Sequence, residues 1–313
     1  MGPEPKFQDA VRIADYRCIR EVELQLTPLH ALIGPNDSGK SSILRALTYL
    51  PRVFQGRVMD HGSAPNPARP LLRLDPDALR TATALIPSVK KSVWFLDERG
   101  LGLSGLYDSL LGRDRDAFIA LEDRFKKLFP TVRALRLDNT KDAKKALGLT
   151  LHDGKVVPAD GMSEGMLYWL AFAILGHLEP VEMILVEEPE NGLHPSRIRE
   201  VMGVLREISG RTQIVLATHS PLVINELAPE EVTIVTRTPE RGTICTPMTQ
   251  TKNFQQRAEV YALGELWLSY ADGELERELV PEDSSPAPAA GPVAGKPMQA
   301  WLARAGEVLG SSA

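Results

Sequence analysis

Residues 34–42 place the strongest constraint on what this chain can fold into. They read G-P-N-D-S-G-K-S-S, follow a short apolar run at 30–34 and precede the apolar helical pattern of 43–47. The spacing of the glycines, the lysine and the serine matches the P-loop pattern G-x-x-x-x-G-K-[ST]. Such a loop predicts a strand, a phosphate-binding turn and a helix in succession. The alternative is a strand–turn–helix connection that binds nothing.

The side chains of this loop point to a magnesium nucleotide as its ligand. Gly34 and Gly39 allow backbone N–H groups to wrap a β-phosphate at the N-terminus of the helix. Lys40 is expected to neutralise the β- and γ-phosphates, and Ser41 to supply a hydroxyl to Mg²⁺, which prefers oxygen ligands. We therefore expect ATP and Mg²⁺ as the cofactors.

Three glutamates follow an apolar strand much further along the chain. Residues 183–186, M-I-L-V, are typical of a strand buried on both faces, and Glu187, Glu188 and Glu190 come next. Carboxylates this close disfavour one another's ionised form, so we expect a cation nearby. Because the carboxyl ends of neighbouring parallel strands share one crevice, Glu187 is expected to contact Mg²⁺ through water. Glu188 is then placed to orient or deprotonate the water that attacks the γ-phosphate.

Two shorter motifs fit the same site. T-H-S-P at 218–221 follows the apolar strand pattern 213–217, which places His219 at the same sheet edge, within reach of a γ-phosphate. M-S-E-G-M at 162–166 opens a helical pattern whose free N–H groups, with the Ser163 hydroxyl, form an anion site. Each motif also has an alternative without a ligand. His219 is then a structural histidine, Ser163 an ordinary helix cap, and the glutamates an acidic loop after a core strand.

Strand and helix patterns alternate along much of the chain, which predicts an α/β fold: a P-loop NTPase with a mostly parallel sheet flanked by helices. Two amphipathic strand patterns, 11–19 and 21–26, predict an N-terminal antiparallel β subdomain. Residues 51–155 are less regular and are expected to form a helical or irregular insertion, with amphipathic helices through about 147. The predicted domains are an ATPase head over 1–253, a C-terminal helical segment over 254–280, and a disordered linker over 281–313 that ends in a short helix or a frayed tail.

Composition excludes several classes of protein. With 43% hydrophobic and 25% charged residues in 313, the chain is globular and can bury a sizeable core. There is neither a signal-peptide pattern nor an apolar run of about 18 residues, so we expect a cytoplasmic protein without a membrane partner. Cys18 and Cys245 have no metal-ligand spacing and are expected to be reduced packing residues. The net charge of −5 argues against a surface that is basic overall.

The four motifs, in this order, closely resemble those of ATP-binding-cassette (ABC) ATPase heads. The most similar branch is the RecF/SMC/OLD type, which acts in DNA metabolism and bacterial defence, and the resemblance covers roughly residues 8–240. Members of the family bind ATP between two heads, so the resemblance implies a homodimer that forms on ATP binding. It also implies the following roles: Walker A at 34–42 with Asn36, Ser38 and Ser42 among the nucleotide ligands, a signature with Ser163 and Gly165 that covers the partner head's γ-phosphate, the Walker B acid Glu187, the catalytic glutamate Glu188, the D-loop at 191–194 and the switch histidine His219.

Some positions depart from the family pattern. Walker B carries Glu187 where many relatives have aspartate, and the D-loop ends in His194 rather than aspartate. No glutamine can be assigned to the Q-loop, because Gln55 follows the P-loop too soon. About 120 residues separate the P-loop from Ser163, which is too short for an SMC-like coiled coil at ~1.5 Å per residue. Glu190 is expected in the turn that meets the second subunit.

A basic segment in the insertion, residues 124–145, is a candidate contact for DNA. Clustered positive side chains of this kind are able to bind nucleic-acid phosphates. A solvated surface is the alternative, since no aromatic or arginine-rich recognition motif accompanies it. Residues 124–145 hold two acidic and eight basic residues, the basic ones being Arg124, Lys126, Lys127, Arg133, Arg136, Lys141, Lys144 and Lys145.

Three functions remain open. The first is an ATP-hydrolysing dimeric switch that controls a separate effector protein, as in antiphage defence or a toxin–antitoxin system; about 60 residues follow the head, so we expect no nuclease in the same chain. The second is a RecF-like repair clamp whose ATP state governs DNA binding. The third is a regulatory scaffold that binds a protein partner without DNA. Salt-dependent DNA binding, weakened by charge reversal in 124–145, separates the first two from the third.

Overall fold

A mostly parallel sheet, buried on both faces, forms the centre of the protein. The computed structural model describes residues 7–49, 52–54, 57–59, 69–84, 96–142 and 144–271. The predicted linker and terminal helix at 281–313 lie outside these residues. Among the described helices, none is long and apolar enough to cross a membrane.

The secondary-structure elements are numbered in chain order. The described strands are β1 (Ala10–Tyr16), β2 (Ile19–Gln25), β3 (Leu29–Ile33), β4 (Arg52–Phe54), β5 (Arg57–Met59), β6 (Leu71–Leu72), β7 (Thr83–Ala84), β8 (Val132–Asn139), β9 (Lys144–Leu151), β10 (Val156–Pro158), β11 (Met183–Glu187), β12 (Gln213–Thr218), β13 (Val232–Thr238) and β14 (Gly242–Pro247). The described helices are α1 (Lys40–Thr48), α2 (Pro76–Arg80), α3 (Leu103–Arg113), α4 (Arg115–Leu128), α5 (Glu164–Leu175), α6 (Pro195–Ser209), α7 (Pro221–Ile224), α8 (Phe254–Ala258) and α9 (Leu263–Ala271). Short 3-10 helices occur at Ala159–Gly161, Pro229–Glu231 and Met248–Gln250.

Six strands form the central sheet in the order β14-β13-β3-β12-β11-β6. All neighbours run parallel except β13 and β14, which form an antiparallel pair. Every residue of β3 and β12 is buried, as is typical of parallel strands that are covered on both faces. The predicted α/β class, with its mostly parallel sheet flanked by helices, is confirmed.

Alternation along these strands divides the core into two parts. On one face, Ile33, Val186 and Leu216 pack in a cluster with α5 and α6. On the other face, Leu32 and Leu185 pack with α1 and with β1 and β2. Because successive residues of a strand point to opposite faces, one sheet serves both clusters. The P-loop helix α1 and the signature helix α5 therefore lie on opposite faces of the same sheet.

The predicted N-terminal antiparallel β subdomain is also confirmed. β1 and β2 form a two-stranded sheet with Ala10 opposite Gln25 and Ile13 opposite Val22. Its apolar side chains alternate with exposed ones, so that one face of the hairpin is buried against α1 and the central sheet.

The insertion between the P-loop and α5 differs from its prediction. The helices α3 and α4 are present, but the prediction of helix through about 147 is wrong beyond Leu128, because β8, β9 and β10 follow. β8 and β9 pair antiparallel with Leu135 opposite Leu149 and Leu137 opposite Leu147, and β7 and β10 also pair with β9. Cross-strand leucine pairs stabilise this four-stranded sheet, and such pairing overrides local helix propensity.

The elements after β14 pack back onto the head. α9 lies against α7, and the N–H of Gly264 donates to Asn225 Oδ1 at 2.7 Å. A Cβ at Gly264 would collide with the carbonyl oxygen of Pro221, so this close approach requires glycine. The predicted domain boundaries at 253 and 280 stay predictions.

Candidate nucleotide-binding site

Three strands of the central sheet end beside one another, and the predicted site residues follow their carboxyl ends. β3 leads into the P-loop, β11 ends at Glu187 and β12 ends at Thr218. The parallel register sets Glu187 opposite Ala217 and Thr218 opposite Ile33. The structure therefore brings the P-loop, the glutamates and His219 to one edge of the sheet, where ligands bind in open α/β folds.

The backbone of the P-loop requires glycine at two points. Gly39 has φ of +109°, and a Cβ at this residue would lie 2.5 Å from Thr243 Oγ1. A Cβ at Gly34 would collide with the carbonyl oxygen of Val235. The loop thus passes close to β13 and β14, at a distance that only glycine permits.

Lys40 is buried at the start of α1 and points back into the loop. Its Nζ donates to the carbonyl oxygens of Gly34 at 2.7 Å and Pro35 at 2.8 Å. Burial lowers the pKa of Lys40, although the charges of Glu188 and Glu187 oppose this shift. The partners of this buried cation are neutral carbonyl groups, and a phosphate oxygen would form a stronger, charge-assisted hydrogen bond.

A cavity of about 340 Å³ lies in front of the P-loop. Ser38 does not line it; its Oγ is buried and has no hydrogen-bond partner in the described part of the chain. Of the predicted site residues, the cavity is lined by Asn36, Gly39, Lys40, Ser41, Ser42, Glu187 and Glu188.

Ser41 and Glu187 form the corner where the metal is expected. The Ser41 hydroxyl donates to Glu187 Oε1, and Glu187 Oε2 forms an ion pair with Arg73 Nε. That ion pair lacks hydrogen-bond geometry, so Oε2 is a buried acceptor that no described donor satisfies. A hydroxyl beside a carboxylate with an unsatisfied oxygen is a donor set that fits Mg²⁺.

Glu188 is held in an unusual backbone conformation. Its φ is +49°, a region that non-glycine residues rarely adopt and that occurs preferentially at functional sites. Its N–H donates to the carbonyl oxygen of Ala217 at 2.8 Å. Its carboxylate accepts a hydrogen bond from Asn191 Nδ2 at 2.6 Å and lies 3.4 Å from His219 Nδ1. The strained turn thus points the carboxylate toward the cavity between two polar groups.

Glu190 turns its carboxylate inward. Its side chain is 9% exposed and accepts a hydrogen bond from Thr218 Oγ1 at 2.5 Å, while His219 Nδ1 lies 4.0 Å away. This hydrogen bond links the ends of β11 and β12, and the expectation that the turn at Glu190 meets a second subunit stays a prediction.

The signature residues lie apart from the P-loop cavity. Ser163 is the N-cap of α5, and its Oγ accepts a hydrogen bond from the N–H of Met166 at 3.4 Å. Gly165 approaches the carbonyl oxygen of Gly192, in the turn after the glutamates. Neither Ser163 nor Gly165 lines the cavity in front of the P-loop. The structure therefore places them beside the D-loop rather than on the nucleotide side of the same chain.

Several residues that sequence reasoning missed also belong to this edge. Arg17 and Arg237 line the cavity and bring two more positive charges to it. Arg17 lies in the turn between β1 and β2, with φ of +53°. Thr243 in β14 donates to the carbonyl oxygen of Ser38 at 3.1 Å and so supports the P-loop. Their positions depend on how β1, β2 and β14 pack beside the loop, and no local motif signals this packing.

The two cysteines have different surroundings. Cys245 is a packing residue, and burial raises the pKa of its thiol to about 12. Cys18 lines the P-loop cavity. Burial raises the pKa of Cys18, but hydrogen bonds with Ser42 and Thr243 and the charge of Arg237 outweigh it, so the pKa lies below its ordinary value.

Carboxylates of the same chain neutralise part of the basic segment 124–145. Arg124 donates to both carboxylate oxygens of Glu207, at 2.8 and 3.0 Å. Half of the eight basic residues have such partners. The other ion pairs join Lys126 to Glu122 and Asp123, Arg136 to Asp138, and Lys145 to Asp108.

Two family profiles match the chain. Residues 85–225 match an AAA domain family that is described with reference to the AbiEii toxin of a type IV toxin–antitoxin (TA) system. Residues 9–59, which include the P-loop, match an AAA ATPase domain family.

Similar proteins include ATPases of several kinds. A Streptomyces coelicolor protein named as an ABC transporter ATP-binding protein is 28% identical over 222 residues, which cover 70% of this chain and 34% of that protein. The OLD nuclease of Thermus scotoductus is 43% identical over 37 residues, 12% of this chain and 7% of the nuclease. The matches thus span about a third of the first relative and a small fraction of the second.

A solved structure of an SMC head, bound to the C-terminal winged-helix domain of ScpA, has the same fold. It superposes with a TM-score of 0.54 and 14% sequence identity, covering 77% of this chain and 98% of the head. The two AAA profiles, the order of the four motifs and the fold together support an ABC-type ATPase head that is similar to those of the RecF/SMC/OLD-like branch.

Proposed function

We propose that the protein is an ATP-hydrolysing, nucleotide-dependent dimeric switch that controls a separate effector protein. The observation that carries this proposal is a division of the site. Lys40, Ser41, Glu187 and Glu188 surround one cavity, whereas Ser163 lies outside it on the surface. One copy thus holds the groups that bind and attack a nucleotide but does not cover the γ-phosphate.

Within one copy, each group has a distinct role in phosphoryl transfer. Lys40 exchanges its carbonyl partners for the β- and γ-phosphate oxygens. Ser41 and Glu187 would hold Mg²⁺, which when bound would supply positive charge where negative charge develops. Glu188, fixed by Asn191, accepts a hydrogen bond from the attacking water and orients it.

The second copy supplies the missing cover. The N-terminus of α5 offers free N–H groups and the Ser163 hydroxyl to an anion, and a helix of this length favours negative charge at that end. Gly165 lies against Gly192, so the signature and the D-loop form one continuous surface. Heads of this family bind ATP between two copies, and this surface supports the same arrangement for the present chain.

The proposed role in defence or in a toxin–antitoxin-like system is supported by the family that matches residues 85–225, which is described with reference to a toxin of such a system. Within this role, the ATP-bound dimer and the open monomer present different surfaces to an effector protein. Binding that prefers one of these two states is what makes the ATPase a switch.

Two alternatives make different use of the same ATPase. A RecF-like clamp would bind DNA through the basic segment 124–145, where Lys127, Arg133, Lys141 and Lys144 are the basic residues outside the ion pairs described above. A regulatory scaffold would bind a protein partner without DNA.

The variant Glu188→Gln tests the catalytic part of the proposal. Loss of the general base should lower the turnover of ATP by about 10²- to 10⁴-fold, while binding of ATP persists. Glu207→Gln, which changes a carboxylate in α6 away from the cavity, should keep the wild-type turnover. Equal turnover of Glu188→Gln and wild type would contradict the assigned role.

Co-purification with Glu188→Gln in ATP separates the three functions. Recovery of an effector protein supports the switch, recovery of nucleic acid that high salt removes supports the clamp, and recovery of a protein that stays bound whatever the nucleotide supports the scaffold.

A further inference from the structure

Arg73 follows the two-residue strand β6, at the edge of the central sheet next to β11. The two strands run parallel with Leu72 opposite Val186, so the next residue of each strand, Arg73 and Glu187, lie side by side. No motif in the sequence marks Arg73, because its position depends on this pairing. It occupies the strand end that borders the metal corner of the site.

The guanidinium of Arg73 lies beside the Glu187 carboxylate, whose negative charge a bound metal would otherwise neutralise. Arg73 Nε forms an ion pair with Glu187 Oε2, while Ser41 donates to the other oxygen of the same carboxylate. The Glu187 side chain is 10% exposed and that of Arg73 is 46% exposed. Both groups expected to hold Mg²⁺ are thus engaged with protein partners.

Lys40, a cation that lines the P-loop cavity together with Glu187, does not pair with that carboxylate. Lys40 is directed at the carbonyl oxygens of Gly34 and Pro35 rather than at Glu187. A buried carboxylate without a compensating charge destabilises a fold strongly. Arg73 therefore supplies that charge. Because like charges repel at short range, a guanidinium and Mg²⁺ cannot both contact Glu187 Oε2 without a penalty.

We propose that Arg73 is the resident counter-ion of Glu187 and has to leave this carboxylate when Mg²⁺ binds, so that Arg73 sets the Mg²⁺ concentration at which the nucleotide site fills. This inference rests on the proposed ATP-binding function and assigns Arg73 as a positioning residue. Through it, the ATPase engages nucleotide only when Mg²⁺ is high enough to displace an internal competitor.

The structure provides room for the displaced side chain. Arg73 borders a small cavity of about 70 Å³ that Glu188, Tyr168 and Asn191 also line. It also borders a wider one, of about 540 Å³, with the carboxylates of Asp75 and Glu98 in its wall. A guanidinium that leaves Glu187 would share the carboxylate of Asp75 with Arg99, or that of Glu98 with Arg45.

The test is a Mg²⁺ titration of the binding of mant-ATP, a fluorescent ATP analogue, to the full chain. In Arg73→Gln the Mg²⁺ concentration for half-maximal binding should fall about tenfold, since a nearby opposite charge weakens a carboxylate's hold on a cation by about this factor or more. Arg73→Lys retains a positive charge and should stay closer to wild type. Arg199→Gln is the matched control: it removes an exposed arginine of α6 that pairs with Glu226 and does not contact Glu187, and should leave the half-maximal concentration unchanged.

A second readout does not involve nucleotide. Without Mg²⁺, Arg73→Gln should lower the melting temperature of the protein, because the carboxylate of Glu187 then lacks its counter-ion, and the double variant Arg73→Gln with Glu187→Gln should regain the loss.

Three results would overturn the inference. The first is a Mg²⁺ requirement of Arg73→Gln that is equal to or higher than that of wild type, in an experiment where wild type binds mant-ATP and Lys40→Ala does not. The proposed function would then stand and the inference about Arg73 would fail. The second result applies if Arg73→Gln does not fold. In that case, the inference is overturned if Arg73→Lys requires more Mg²⁺ than wild type for half-maximal binding. Absence of mant-ATP binding by wild type at any Mg²⁺ concentration is the third, and it would remove the proposed function as well.

Discussion

The nucleotide edge of the central sheet and the insertion between the P-loop and α5 differ in the partners of their charged side chains. At the edge, Lys40 is buried against neutral carbonyl groups, and the side chain of Glu187, which is 10% exposed, has an oxygen, Oε2, without a hydrogen bond within the described residues. In the insertion, half of the basic residues of 124–145 form ion pairs with carboxylates, as Arg124 does with Glu207 of α6. Buried charge without full compensation lowers stability, and it is retained where a ligand supplies what is missing. The contrast supports the proposal that the edge is the binding region.

The two regions also differ in what holds them in place. The edge is positioned by parallel strands, of which β3 and β12 are buried throughout, whereas the insertion is attached through aromatic packing. Phe125 in α4 is fully buried, with its ring centroid 5.6 Å from that of Trp169 in α5. Changes in the insertion should therefore affect stability, and changes at the edge should affect binding.

The largest expected effect is on stability, from Phe125→Ala. Removing a fully buried aromatic ring should lower the free energy of unfolding by about 3–5 kcal/mol, because a cavity remains. Chemical denaturation measures the loss, and mant-ATP affinity of the remaining folded protein should stay within about threefold of wild type. Ile119→Ala, on the exposed side of the same helix, is the control and should cost less than about 1 kcal/mol. A large loss of affinity in Phe125→Ala would show that the insertion is part of the nucleotide site.

Next in size is the loss of nucleotide binding in Lys40→Ala. Truncating a buried cation that bonds to phosphate should cost about 2–5 kcal/mol of binding free energy, or about thirtyfold or more in Kd. The free energy of unfolding should stay within about 1 kcal/mol of wild type, since the hydrogen bonds lost are to neutral carbonyl groups. Calorimetric titration with ATP measures the first value and denaturation the second. Unchanged ATP affinity would contradict the assignment of the P-loop.

The smallest expected effect concerns His30, within the strand that leads to the P-loop. The buried ring lies between the hydroxyl groups of Thr27 and Thr233, at 3.2 and 3.0 Å. Burial lowers the pKa of His30 to about 4, although Glu231 opposes the shift. The unfolded chain takes up a proton below about pH 6.5 and the folded chain only near pH 4, so stability falls as the pH drops between these values.

The slope from His30 should reach about 1.4 kcal/mol per pH unit between pH 6 and pH 4.5. Denaturation midpoints of wild type and His30→Gln across this range measure it as a difference, since the carboxylates that also titrate are common to both. If the free energy of unfolding has the same pH dependence in the two proteins, His30 does not contribute to the acid sensitivity of the fold.

The site residues that belong to a local sequence motif were predictable from the sequence. The P-loop, the glutamates after β11 and His219 after β12 each follow a recognisable strand, and the carboxyl ends of parallel strands meet. Arg73 and Thr243 were not predictable in this way, because each depends on a strand pairing between distant segments. β6 is only two residues long, which is too short for any period to appear.

The prediction of helix beyond Leu128 went wrong for a different reason. The leucines of β8 and β9 recur at every second residue, Leu135 and Leu137 in one strand and Leu147 and Leu149 in the other, and this period indicates strands, which the prediction overlooked. The hydrogen bond of Glu190 to Thr218 could not be predicted either, because Thr218 belongs to a neighbouring strand. Sequence reasoning thus found the candidate site residues and missed the contacts that orient them.

The central claim is that ATP joins two copies of this chain, and the molar mass of Glu188→Gln by light scattering tests it most directly. With saturating ATP and Mg²⁺, the account predicts twice the 34.4 kDa chain mass, returning to one chain mass when Ser163→Arg is added to block the signature surface. A single-chain mass for Glu188→Gln with ATP bound would contradict the account.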